Sequence, residues 1–262
     1  MQALTLPAGR GWRWLSDGFA IFRRKQLMLS LAVLGYWMAM VLISAFPLIG
    51  RVAAMLLIPV FSVSLMNACR LVESSSPRPL AFSPPLLFSG FQKNLRTLLK
   101  LGAIYFVFTV GVLALVALFD DGVLFRLVVL GQEPAEHALE SDAVRLAAQV
   151  AMALFAPLMM AYWYAPVLVA WHDLSAAKSL FFSFVACLRN WRAFLVYGAA
   201  VALFGALLPG MLAVVLSAVL PGGGNRLSVL LSSLIVLFLL PTLYASFYVS
   251  YRDVFVTVDD NA

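Results

Sequence analysis

Charged residues are scarce in this chain, and their scarcity constrains the class of protein. Only 11% of the 262 residues are Asp, Glu, Lys or Arg, against roughly 25% in an ordinary soluble domain. Apolar residues make up 63%, which leaves too few polar groups to cover a water-facing surface. The composition therefore excludes an ordinary soluble domain and favours a chain that lies mostly in lipid.

Histidine and cysteine are also rare, with two of each. No Cys-x-x-Cys pair is present, and neither histidine stands among cysteines. Because zinc sites in proteins are built from three or four such ligands, the sequence predicts no metal site and no cofactor.

What the chain has in abundance is long apolar runs. Several exceed the roughly 20 residues that a helix needs to cross about 30 Å of hydrocarbon. We therefore expect an all-α polytopic membrane protein with one integral domain over residues 1–262. The six predicted spans cover residues 27–46, 48–70, 98–119, 144–170, 194–219 and 227–250.

The basic residues are distributed unevenly between the two sides of these spans. With the N-terminus in the cytoplasm, 14 of the 18 Lys and Arg residues fall inside, whereas the acidic loop near 120–143 falls outside. The positive-inside rule therefore predicts that both termini are cytoplasmic. The net charge of +6 then belongs to loops at the inner membrane surface, which argues against nucleic acid as a partner. Cys69 and Cys187 fall near the cytoplasmic face, where reducing conditions disfavour a disulfide.

A similar pattern occurs three times along the chain. Each time, a cationic amphipathic stretch is followed by an apolar hairpin, and the returning half of the hairpin carries a proline. We therefore predict three hairpins, each preceded by an amphipathic interfacial helix, in a pseudo-threefold repeat. The predicted repeat units cover approximately residues 10–73, 80–173 and 174–253.

The three cationic stretches place aromatic and leucine side chains at helical spacing, which is typical of helices at a membrane surface. The second is expected to start after Ser83. The predicted apolar faces carry Trp12, Leu15, Phe19 and Phe22 in the first stretch, Leu87, Phe91, Leu95 and Leu98 in the second, and Leu180, Phe184, Leu188, Trp191 and Leu195 in the third.

Arginines beside these apolar faces are candidates to bind anionic lipid headgroups at the inner leaflet. The other interpretation is that they only fix the topology and extend towards the headgroups, as such residues usually do. The candidate headgroup ligands are Arg23, Arg24, Arg96, Arg189 and Arg192.

Each returning span carries one proline in its apolar part: Pro59, Pro157 and Pro241. Proline removes a backbone hydrogen bond and clashes with the carbonyl four residues earlier. Two interpretations remain open. The prolines either kink the helices so that they wrap around each other, or expose carbonyls that line a central polar cavity.

Small residues recur at every fourth position in the fifth span, at Gly198, Ala202, Ala206 and Gly210. Such a stripe lets another helix approach closely. We expect it to pack against a helix of the same chain.

Few residues of this chain are candidates for catalysis or for coupled transport. The one candidate cluster for catalysis is Trp171-His172-Asp173, echoed by Tyr251-Arg252-Asp253, and in it His172 would be a general base oriented by Asp173. The alternative is that Asp173 or Ser175 caps the third surface helix and Trp171 anchors the span at the interface. Adjacent residues such as His172 and Asp173 seldom form such a hydrogen bond, and no nucleophile is marked, so we expect that the protein is not an enzyme. No span holds an ionisable residue near its centre, which disfavours transport coupled to protons or sodium.

Three segments carry a resemblance to a known family: the run from Pro166 to Asp173, the run from Lys178 to Phe184, and the run from Leu188 to Phe194. Together they resemble a family of uncharacterised proteobacterial inner-membrane proteins of about this length. The resemblance extends over most of the chain and is strongest at 160–197. It implies a six-span fold in the bacterial inner membrane, and it carries over no catalytic or binding residue.

These patterns favour a non-enzymatic integral inner-membrane protein that binds anionic lipid headgroups or membrane partners. The alternative is a passive transporter or channel for a small molecule or lipid, with its site near the proline-kinked helices. The expected partners are membrane lipids and other membrane proteins.

Overall fold

Six helical segments of the computed structural model are long and apolar enough to cross a membrane. The structure describes residues 2–46, 49–74, 83–135, 138–220 and 224–256. The prediction of an all-α, six-span membrane protein is therefore confirmed. The six segments are Gln26–Ser44, Ile49–Ser74, Leu95–Asp120, Asp142–His172, Trp191–Val219 and Leu227–Val254.

Shorter elements connect and flank these segments. Two strands, β1 (Gln2–Ala3) and β2 (Phe255–Val256), pair in antiparallel fashion and bring the two ends of the described chain together. The α-helices are α1 (Arg10–Arg24), α2 (Gln26–Ser44), α3 (Ile49–Ser74), α4 (Pro84–Leu87), α5 (Leu95–Asp120), α6 (Val123–Phe125), α7 (Asp142–Trp163), α8 (Ala165–His172), α9 (Ala176–Arg189), α10 (Trp191–Ala202), α11 (Leu208–Val219) and α12 (Gly224–Val254).

Short 3₁₀ and π segments complete the chain. The 3₁₀ segments are Ser89–Phe91 and Ala138–Glu140. A π segment at Arg126–Leu130 follows α6, and another at Leu203–Leu207 joins α10 to α11 inside the fifth span. A π segment locally widens a helix and is often found at functional sites.

The described residues form two compact units. Of the described residues, the first unit comprises 2–35, 65–74, 83–87, 186–220 and 224–256, and the second comprises 36–46, 49–64, 88–135 and 138–185. Neither unit coincides with one of the three predicted repeat units, and the pseudo-threefold repeat stays a prediction.

In the first unit, α1 lies along α12. The Trp14 indole donates to the Asp253 carboxylate at 3.1 Å, Gly18 lies against Ser246, and the Phe22 ring lies 6.1 Å from the Phe238 ring. At about 1.5 Å per residue, these contacts follow roughly 22 Å of α12. The first amphipathic stretch is therefore packed against a membrane-spanning helix over most of its length.

The buried face of α1 differs from the predicted apolar face. Gly11, Trp14, Leu15, Gly18 and Phe22 are buried, together with Ile21. Trp12 and Phe19, which were predicted to share the apolar face, are exposed. The reason is that the two glycines allow the helix to approach its neighbours closely, and this turns the face that carries them inward.

The second amphipathic stretch is not one continuous helix, which corrects the prediction for Leu87 to Leu98. α4 ends at Leu87, a 3₁₀ turn follows, and Asn94 takes a left-handed conformation (φ 53°) before α5 begins at Leu95. The Asn94 side chain stabilises this break because its amide donates to the Val169 carbonyl (2.8 Å) and to Asp173 (2.6 Å). Asparagine tolerates this backbone region better than most residues.

In the second unit, a buried core joins α3, α5 and α8. Its members include Val60, Leu98, Leu101 and Val169. The 3₁₀ turn can approach α3 closely only because residue 90 is glycine, since a Cβ there would collide with the Val60 carbonyl. The Gly90 amide also donates to Ser64 Oγ at 2.9 Å. The core therefore holds the turn before α5 against the second span.

Candidate functional site

The five arginines predicted to bind headgroups are all exposed. Arg23 and Arg24 form the last turn of α1, and Arg96 lies in the first turn of α5. Arg189 ends α9, and Arg192 follows in the first turn of α10 after the break at Asn190. Within the described part of the chain, none of the five forms an ion pair.

Arg10 is held differently from these five, although it lies on the same helix as Arg23. Its Nε donates to the Asp253 carboxylate at 2.8 Å, and the Trp14 indole donates to the same oxygen. The hydrogen bond to Asp253 raises the pKa of the Arg10 guanidinium, and desolvation by burial opposes this. Because only 6% of the Asp253 side chain is exposed, this pair is a structural contact that fixes the start of α1 to the end of α12.

A second ion pair joins α3 to the same end of α12. Glu73 accepts from the Arg252 guanidinium and from the Tyr248 hydroxyl. Arg252 also lies 3.4 Å from Asp253. Arg10 and Arg252 are therefore paired with carboxylates, unlike Arg23, Arg24, Arg189 and Arg192.

The N-terminal segment is tied to the turn between α9 and α10. The Asn190 amide donates to the Leu4 carbonyl at 2.9 Å, and its carbonyl oxygen accepts from the Leu6 amide at 2.8 Å. Arg189 Nε donates to Thr5 Oγ1 at 3.2 Å. Arg189, one of the predicted headgroup ligands, therefore also holds the N-terminal segment.

An apolar groove of about 600 Å³ lies in the first unit between α1, the fifth span and the sixth span. It is open on one side, since Trp12 and Phe19 are 49% and 44% exposed. The Trp12 ring lies 6.0 Å from Phe204, whose π segment forms part of the wall. The lining side chains are Trp12, Leu15, Ser16 and Phe19 from α1, Phe204 and Leu212 from the fifth span, and Leu231, Leu234, Ile235, Phe238, Leu239 and Thr242 from the sixth.

The two hydroxyls in this groove are already engaged by backbone. Ser16 Oγ donates to the Arg13 carbonyl at 3.0 Å, and Thr242 Oγ1 donates to the Phe238 carbonyl at 2.8 Å. The remaining lining side chains are aliphatic or aromatic. The groove therefore offers an apolar surface and little capacity to bind a polar solute.

One of the predicted headgroup ligands lies at the edge of this groove. The guanidinium carbon of Arg23 lies 5.9 Å from the centre of the Phe19 ring, which lines the groove. Arg192 makes the same kind of contact elsewhere, 5.4 Å from the Trp191 ring. A guanidinium stacked on a ring keeps its N–H edge available for an anion.

The three prolines do not interrupt their helices. Pro59, Pro157 and Pro241 lie inside α3, α7 and α12. The break in the fourth span comes later, at Tyr164, which separates α7 from α8. Pro166 lies at the second position of α8, just after this break, and it has no N–H to donate to the Tyr162 carbonyl four residues earlier.

The prolines also differ in their surroundings. Pro59 and Pro241 are buried, whereas Pro157 is exposed. The Ser64 and Thr242 hydroxyls near Pro59 and Pro241 donate to the Val60 and Phe238 carbonyls, and not to the carbonyls four residues before the prolines. The proline-lined cavity stays a prediction, and so does the passive conduit that depends on it.

Asp173 takes part in a structural contact. It has a left-handed conformation (φ 54°), and its carboxylate accepts from the Asn94 amide. The carboxylate thus helps to hold α5 beside α8. Among the described residues, no group of three or more His, Cys, Asp or Glu side chains has the arrangement of a metal site.

The small-residue stripe of the fifth span lies on the surface. Gly198, Ala202, Ala206 and Gly210 are all exposed, and a Cβ added at Gly198 or Gly210 would meet no atom within 4 Å. The prediction that this stripe packs against a helix of the same chain is therefore wrong. The close helix contacts of the first unit are made instead at Gly11 and Gly18 of α1.

The groove and the Arg10–Asp253 pair were missed by sequence reasoning. Arg10 and Asp253 are 243 positions apart, and no local pattern links them. The spacing of Gly11 and Gly18, seven residues apart on one helical face, is a signal that could have identified the packed side of α1.

One curated relative defines the family. The chain is 39% identical, over 264 aligned positions, to a probable inner membrane protein of Burkholderia thailandensis. The alignment covers 97% of this chain and 94% of the relative. No protein-family model matches the chain, and no solved structure matches it. With such identity over nearly the full length of both chains, together with six apolar spans, the protein belongs to the family of inner membrane proteins that includes this B. thailandensis protein.

Proposed function

We propose that this inner membrane protein binds anionic phospholipids at its predicted cytoplasmic face, through Arg23, Arg24, Arg96, Arg189 and Arg192. The supporting observation is the contrast between these five arginines and the two arginines that are paired with carboxylates in the first unit. Arg10 and Arg252 are paired with carboxylates, whereas the five candidates are exposed and make no ion pair with a described residue. Their charge is therefore available to an external anion.

Anionic headgroups match these five side chains in charge. A guanidinium can donate two parallel hydrogen bonds to a phosphate. Each basic residue near an anionic leaflet contributes about 1 kcal/mol of attraction. Trp191 stands beside Arg192 and is 50% exposed, and tryptophan is enriched at the headgroup level of membranes.

Charge reversal tests the proposal. The triple variant Arg24→Glu, Arg96→Glu, Arg192→Glu changes three candidates while sparing Arg189, which also holds Thr5. We expect the gently purified variant to retain less phosphatidylglycerol than the parent, as measured by native mass spectrometry. The matched control is Arg51→Glu, Arg126→Glu, Arg145→Glu, which reverses three basic residues predicted to face the other side of the membrane.

The two variants separate lipid binding from a general effect of charge. If the triple variant keeps its helical content and retains as much phosphatidylglycerol as the parent, the proposal is wrong. The arginines would then serve only to fix topology. Equal loss of lipid from the control variant would also count against a specific inner-face site.

A further inference from the structure

We infer that the groove between α1, the fifth span and the sixth span binds one acyl chain of an anionic phospholipid whose phosphate lies at Arg23. This deepens the proposed function and rests on it, because it turns one of the five arginines into part of a defined site. The inference depends on the shape of the groove, the almost wholly apolar character of its lining, and the position of the cation at its edge.

The size of the groove suits a ligand. Its volume of about 600 Å³ falls within the range of roughly 300–1,000 Å³ that is usual for small-molecule sites. Three helices form its walls, and aromatic contacts fix two of its corners: Trp12 with Phe204 and Phe22 with Phe238. The concavity is therefore part of the fold of the first unit.

The chemistry of the lining selects a hydrocarbon occupant. Ser16 and Thr242 are the two hydroxyl side chains in the lining, and both donate to backbone carbonyls of their own helices. A water molecule or a sugar would find few partners there, since an ordered buried water typically makes about three hydrogen bonds. An acyl chain needs no partners and gains from the burial of apolar surface.

Arg23 supplies the charge that distinguishes a phospholipid from any other apolar molecule. Its guanidinium stacks on Phe19, and Phe19 also contacts Phe22 with ring centres 6.3 Å apart. The Arg23 guanidinium therefore stacks on a side chain that lines the groove. A lipid with its chain along the groove can therefore place its phosphate against the exposed edge of Arg23.

An extended chain fits the groove better than a partner helix does. A helix about 10 Å wide occupies roughly 400 Å³ in a single turn of about 5.4 Å. The groove would therefore hold fewer than two turns of a helix, which is too little to dock one stably. Arg23 beside the groove would also lack an anion unless the partner supplied one.

Filling the groove tests the inference without touching the arginines. Leu212→Trp adds bulk to the lining, and Val215→Trp makes a similar change on the same helix at an exposed position outside the lining. Each variant is reconstituted with dioleoyl phosphatidylglycerol, and retained lipid is counted by native mass spectrometry. We expect Leu212→Trp to weaken retention of one lipid by about tenfold or more and Val215→Trp to leave it unchanged. Ser16→Phe fills the groove from α1 and is used if Leu212→Trp does not fold.

Two further ligands and one further variant identify which part of the phospholipid is recognised. Dioleoyl phosphatidylcholine carries the same chains without net charge, and glycerophosphoglycerol carries the headgroup without chains. We expect both to be retained at least about tenfold less than phosphatidylglycerol. Arg23→Gln should remove the preference for the anionic lipid at the groove, so that one fewer phosphatidylglycerol is retained than by the parent. Equal retention of phosphatidylcholine by the parent would overturn the role of Arg23. Unchanged phosphatidylglycerol retention in a folded groove-filling variant would overturn the groove, while loss in the triple arginine variant would still support the proposed function.

Discussion

Replacement of Gly18 by alanine tests the packing of α1 on α12. A Cβ at this position would lie 2.5 Å from the Ser246 backbone nitrogen and 2.6 Å from its Cα. Carbon atoms pack best at about 3.5–4.0 Å, so α1 has to move away by roughly 1 Å. Overpacking of this kind usually costs about 1–3 kcal/mol.

The same substitution at Gly198 provides a matched control. Gly198 also lies inside a helix, and a Cβ there would meet no atom within 4 Å. Alanine is favoured over glycine in a helix by about 0.8–1.0 kcal/mol, and this gain applies at both positions. We therefore expect Gly198→Ala to be stabilising, and Gly18→Ala to be less stable than Gly198→Ala by the overpacking cost of about 1–3 kcal/mol.

The two native cysteines report on unfolding of the unit that contains α1. Cys69 and Cys187 are both in the first unit and are only 1% and 2% exposed. A thiol-reactive dye should label them as the purified protein unfolds on heating. Since 1 kcal/mol shifts the midpoint by about 2–4 °C in a chain of roughly this size, we expect Gly18→Ala to melt several degrees below Gly198→Ala. Equal midpoints for the two variants would show that α1 does not pack closely at Gly18.

Three further predictions follow from contacts in the structure and from the charge pattern. Asp253→Ala should lower the labelling midpoint, because it leaves the buried Trp14 N–H without its acceptor at a cost of about 1–3 kcal/mol; an unchanged midpoint would contradict this. Ser183→Ala should speed hydrogen exchange at the Tyr164 amide, because this amide donates to Ser183 Oγ. The control is Ser179→Ala, which removes only a bond within α9, and equal exchange at Tyr164 in both variants would refute the prediction. A C-terminal fluorescent reporter should be active and a periplasmic phosphatase reporter inactive, and the reverse would contradict cytoplasmic termini.

The number and positions of the membrane spans could be read from the sequence because they depend on local composition. A run of apolar residues long enough to cross the bilayer must form a helix, since lipid offers no partner for an unpaired backbone group. The predicted span 98–119, for example, lies within the observed helix Leu95–Asp120. Predicted and observed ends differ by a few residues, where capping residues such as Ser141 before α7 fix the boundary.

The breaks between helices were harder to predict because several residues can interrupt a helix equally well. Pro157 remains inside α7, while the break falls at Tyr164, just before Pro166, and is held by Ser183. The break at Asn94 depends on two hydrogen bonds to partners about 75 residues later in the chain. Such bonds are visible only once the fold is known.

The sequence by itself determined the class of this protein: its membrane environment and its six spans. These properties follow from hydropathy and charge, which act locally on each segment. The tertiary structure decided which face of α1 is buried, that the stripe at Gly198 to Gly210 is exposed, and that an apolar groove lies beside Arg23. Lipid-facing and packed apolar surfaces have nearly the same composition, so only the arrangement of the helices can distinguish them.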